Sequence, residues 1–90
     1  MSPNKNVIRL KETPPRNDMT FAEVKAALES LGFVVDRING SHYIFKHNSL
    51  NIHGLVVPKP HGKNKCVLRT YIKKIQELIN EIEGENNETR

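Results

Sequence analysis

Side-chain chemistry is most concentrated in the stretch Gly40-Ser41-His42-Tyr43-Ile44-Phe45, where a histidine stands directly behind a glycine-serine pair. An imidazole titrates near neutrality and can take or give a proton. Cations for its surroundings come from Lys46 on the same run, from Lys59, His61, Lys63 and Lys65 in the segment after it, and from Arg69 and Lys73 further on. RNA carries its own nucleophile, the 2′-hydroxyl, so one proton acceptor plus ammonium groups holding the phosphate could cleave it without a metal. By itself, a histidine beside a turn is more often a structural hydrogen-bonder than a catalyst. A non-catalytic RNA-binding module using the same basic face therefore fits the residues equally well.

The charge distribution points to a phosphate-bearing partner more strongly than the net charge of +4 does. No acidic residue falls between Arg37 and Gln76, whereas Glu77, Glu81, Glu83, Glu85 and Glu88 follow at once. That acidic end gives a third, weaker reading, a protein-interaction domain. His47 and His53 are expected to be solvated at strand ends. A zinc site would have to be all-histidine and assembled from distant loops, so neither a metal nor any other cofactor is expected. Cys66, the single cysteine, can form no intramolecular disulfide and suits a reducing compartment as a small half-buried residue. No apolar run approaches the roughly 18 to 20 residues that span a bilayer, and the start lacks a signal-peptide core. A soluble cytoplasmic protein with no membrane contact is the expectation.

These groups need elements to position them. Residues 1–18 hold Pro3, Pro14 and Pro15 and little to bury, so they are expected to form a mobile arm with, at most, a short strand at Asn6 to Leu10. The domain proper is read as 19–83. Thr20-Phe21-Ala22-Glu23 has the form of a capping box, with Met19 able to staple onto Val24. Phe21, Val24, Ala27, Leu28 and Leu31 then recur at helical spacing until Gly32. Phe33-Val34-Val35 opens a strand, Asn39-Gly40 is a hairpin signal, and His42 to His47 is a second strand. Its alternation puts Tyr43 and Phe45 on one face and turns His42 and Lys46 outward together. A third strand, Asn51 to Val57, is expected to bulge at Gly54. Residues 58–65 read as a basic loop. Leu68, Tyr71, Ile72, Ile75, Leu78, Ile79 and Ile82 give the last helix a broad apolar face, and Gly84 is expected to stop it before an acidic disordered tail, 84–90. The fold class is α+β, in the order α-β-β-β-α, with two helices on one face of a three-stranded antiparallel sheet.

Several of these pieces occur together in an order that resembles the HicA (YcfA-like) toxin family. They are Leu28-Glu29-Ser30-Leu31-Gly32-Phe33 closing a helix, Arg37 and Gly40-Ser41-His42, then Val57-Pro58 and His61-Gly62. The resemblance covers about residues 19 to 80. It implies a fold like the double-stranded RNA-binding domain and an mRNA-cleaving endoribonuclease acting as the toxin of a type II toxin-antitoxin system. It also implies a HicB-like antitoxin as partner. His42 matches the family's catalytic histidine, and Gly40 and Ser41 match the small residues before it. Two features depart from the pattern: Lys59-Pro60 lengthens the loop by one residue, and Cys66-Val67-Leu68-Arg69 stands where a Gly-Thr often opens the last helix.

Overall fold

The computed structural model describes residues 5–62 and 65–88. In chain order it contains α1 (Lys5–Leu10), α2 (Phe21–Ser30), β1 (Val34–Asn39), β2 (His42–His47), β3 (Ile52–Pro58) and α3 (Arg69–Glu88). The strands form one antiparallel sheet in the order β1-β2-β3, and α2 and α3 cover one face of it, as expected.

Local chemistry sets the ends of α2. The Thr20 hydroxyl accepts from the Glu23 amide at 3.2 Å while Glu23 Oε1 accepts from the Thr20 amide at 2.9 Å, completing the capping box. At the other end Gly32, at φ +102°, lets the chain turn back. Its N–H then reaches Glu29 O at 3.0 Å and the Phe33 N–H reaches Leu28 O at 2.9 Å, which is the Schellman pattern. Phe21, Val24, Ala27 and Leu28 are the buried residues of this helix. They join Met19, Phe33, Phe45, Val57, Val67, Ile72, Ile75 and Ile79 in one core. Apart from Ala27, each such side chain contributes on the order of 1.5–3 kcal/mol when fully buried.

The sheet follows the alternation of β2. Phe45 is fully buried beneath the helices, Tyr43 packs tilted on Phe21 with ring centroids 4.6 Å apart, and His42 is exposed. Two bulges interrupt the register. In β3 His53 and Gly54 together oppose Lys46, with Gly54 at φ +81°, as the glycine predicted. In β1 Asp36 is the extra residue between the pairs Val35↔Phe45 and Arg37↔Ile44.

Four expectations need correction. The segment expected as a short strand within a mobile arm is the helix α1, and its Leu10 lies fully inside the core. Arg9 bridges to Glu23 at 2.9 Å, and the buried Gln76 amide donates to Leu10 O at 2.8 Å and Glu12 O at 2.6 Å. Val7 and Leu10, one turn apart, supply the apolar face that composition alone undervalued. The hairpin turn is centred on Gly40-Ser41, since Asn39 still pairs with His42. Helix α3 continues through Gly84 to Glu88, because an interior glycine costs a helix only about 1 kcal/mol and is no obligatory stop. Leu68 lies one residue before α3 and is 67% exposed, outside the apolar face assigned to it.

Candidate nucleic-acid interface

The Gly40-Ser41 turn is short because Gly40 takes φ +63° there, and β2 begins immediately behind it. His42 pairs with Asn39 on one side and Pro58 on the other, so its exposed ring rises from the start of β2 on the face without helices. Beyond Pro58 the chain stays near the turn, with Lys59 N–H donating to Ser41 O at 2.7 Å. Gly40, Ser41, Tyr43, Lys59, Pro60 and His61 consequently line one cleft of about 450 Å³. Three residues of positive or polar character, Ser41, Lys59 and His61, thus line one cleft at the end of the sheet.

Lys46 shares the open face with His42 but is engaged there, its Nζ 3.6 Å from Asp36 Oδ1. Asp36 is the site neighbour that sequence reasoning missed. The acid-free window begins one residue after it, and Asp36, the extra residue of the β1 bulge, pairs with Lys46.

On the other side of Pro60 and His61 lies a second, more apolar groove of about 310 Å³, which also takes in Lys65, Cys66, Leu68 and Tyr71. Arg69 and Lys73 are exposed on α3, in the helical layer on the side of the sheet opposite His42, and Lys74 Nζ lies 5.6 Å from the Tyr71 ring centroid. The sequence-derived site is therefore distributed. Gly40, Ser41, Lys59 and His61 share a cleft, His61 and Lys65 share a groove, His42 and Lys46 stand on the open face, and Arg69 and Lys73 belong to the helical layer. Lys63 lies outside the described residues.

His47 is not the solvated residue expected. Its Nδ1 accepts from the Leu50 N–H at 3.3 Å, which leaves Nε2 as the protonated nitrogen that donates to Leu31 O at 3.0 Å. Its ring meets Phe33 edge-on with centroids 5.1 Å apart. Parity was the available signal, because residue 47 follows 43 and 45 onto the helix-covered face. His53 is exposed, with Nε2 3.3 Å from Asn51 Oδ1. Among the described residues, no three His, Cys, Asp or Glu side chains cluster as metal ligands, and no helix is long and apolar enough to cross a membrane.

A family model described as the HicA toxin of bacterial toxin-antitoxin matches residues 21–81, from the first residue of α2 to well inside α3. No curated protein and no solved structure matches the chain.

Proposed function

The chain belongs to the HicA toxin family, with the toxin and RNA-binding role that goes with it, and from that premise we propose that it is an endoribonuclease cutting mRNA in the cytoplasm with His42 as general base. The observation that carries this reading is the exposed imidazole behind the Gly40-Ser41 turn, on the sheet face opposite α2 and α3.

In the proposed reaction a neutral His42 nitrogen takes the proton of a ribose 2′-hydroxyl. The freed oxygen attacks the adjacent phosphorus, the bond from phosphorus to the 5′-oxygen of the next nucleotide breaks, and that oxygen acquires a proton from a general acid or water. The products are a 2′,3′-cyclic phosphate and a 5′-hydroxyl. Lys59, His61 and Lys65 hold flanking phosphates, Lys46 contributes from the open face, and Arg69 and Lys73 engage RNA that passes around the sheet end. Lys63 belongs to the same proposed set. A HicB-like antitoxin would silence the toxin by masking this basic surface with acidic groups.

The deciding comparison is wild type against His42→Ala on RNA with EDTA present. Wild type should go on cutting and leave cyclic phosphate ends, while the variant should bind RNA and cut about 10²–10⁴-fold more slowly. Equal cutting by both proteins removes His42 from the chemistry, and activity that stops in EDTA removes the metal-free route.

A further inference from the structure

We infer that the apolar groove beside the start of α3 is a nucleobase subsite, which accepts one unstacked base of a single-stranded RNA whose backbone lies along the Lys59–His61 cleft. This rests on the reading of the chain as an RNA-acting protein. The groove measures about 310 Å³, and Pro58, Pro60, Leu68 and the aromatic Tyr71 make its lining largely apolar. Leu68 stands 67% exposed at its side and, with Pro58, Pro60 and Tyr71, makes the apolar surface there continuous.

Two relationships favour a base over a side chain from a protein. Pro60 and His61 line both the groove and the polar cleft, so a strand crossing them meets phosphate-binding groups on one side and an apolar slot on the other. Among the described residues, the fully charged side chains lining the two cavities are the cations Lys59 and Lys65, which suits a polyanion carrying flat apolar units. Single-stranded RNA is recognised in this way, with splayed bases seated against aromatic and apolar side chains while cations track the backbone.

Cys66 lies half-buried in the groove and reports its occupancy without reference to catalysis. The test measures alkylation of Cys66 by N-ethylmaleimide in the full chain, alone and with short 2′-O-methyl oligoribonucleotides that cannot be cut. One oligonucleotide carries all its bases and the other is abasic along the same backbone. The intact strand should slow alkylation at least about tenfold and the abasic strand should not. Leu68→Ser, at an exposed position where folding is not at stake, should weaken the intact strand about tenfold and leave the abasic strand unchanged. Equal protection by both strands, or equal weakening of both by Leu68→Ser, overturns the subsite. So does protection by an acidic antitoxin but not by RNA. Absence of binding by either strand sinks the RNA reading itself, whereas binding of both with Cys66 still reactive sinks the groove alone.

Discussion

The ring of His47 fills the space that a side chain on Gly32 would need: an ideal Cβ at Gly32 would lie 2.5 Å from His47 Nε2. The same nitrogen is already 3.0 Å from Leu31 O, so it cannot retreat without giving up a bond. Gly32 also sits at φ +102°, outside the region an L-residue adopts without strain. Gly32→Ala should therefore cost about 2–3 kcal/mol, more than the ~1 kcal/mol of a cap glycine with open space beside it. Urea unfolding measures it, and a loss of only about 1 kcal/mol would show that the ring yields freely.

Gln76 ties together parts of the chain more than sixty residues apart, through its bonds to Leu10 O and Glu12 O. Gln76→Ala leaves both carbonyls without that partner and should cost about 2 kcal/mol. It should also expose the segment after α1, so trypsin should cut at Lys11 or Arg16 faster than in wild type. Unchanged cleavage would mean that the buried Leu10 holds the segment without help.

How much of this was legible depended on the distance over which each signal acts. The bounds of β2, the capping box and the Gly54 bulge follow from neighbouring residues, and each was readable in the sequence. The Asp36 bulge depends on register against β2, and the docking of Leu10 depends on α2 and Gln76, so no local pattern announces either. His42 and His47 are the same residue type five positions apart, one exposed and one locked to Leu31 O. Strand parity separates them, and solvation judged from position along the strand does not. The proposed site lay within reach as a set of residues, but its division between an open face, a cleft and an apolar groove comes from how the loop after Pro58 folds back to Ser41.

Glu23 gives the fold a dependence on acid. The N–H of Thr20 first, and the Arg9 guanidinium after it, hold its carboxyl below the ordinary value of 4.5, against the opposing effect of burial. A depressed carboxyl stabilises the folded state above its ordinary value, and that stabilisation is lost as pH falls through the lowered one. The side chain is 31% exposed, so solvent screening keeps the effect modest. Glu23→Gln should cost about 1 kcal/mol near neutral pH, and the two proteins should converge as the solution is acidified below pH ~4. Denaturant midpoints at several pH values check this, and a gap that persists in acid would assign the loss to packing.

Lys59 and Lys65 flank the two cavities at the sheet end, whereas Lys25 on α2 is engaged with Glu29 at 2.7 Å. If the sheet end carries the RNA backbone, each of the first two lysines releases counterions on binding and Lys25 does not. The logarithm of affinity for single-stranded RNA should then fall with the logarithm of salt at a slope reduced by about 0.7 in Lys59→Ala and again in Lys65→Ala. Lys25→Ala should leave the slope as it is. Filter binding or fluorescence anisotropy across a salt series in the His42→Ala background reads the slopes without cleavage. A flattened slope for Lys25→Ala, with none for the other two, would move the RNA path to the helical layer beside α2.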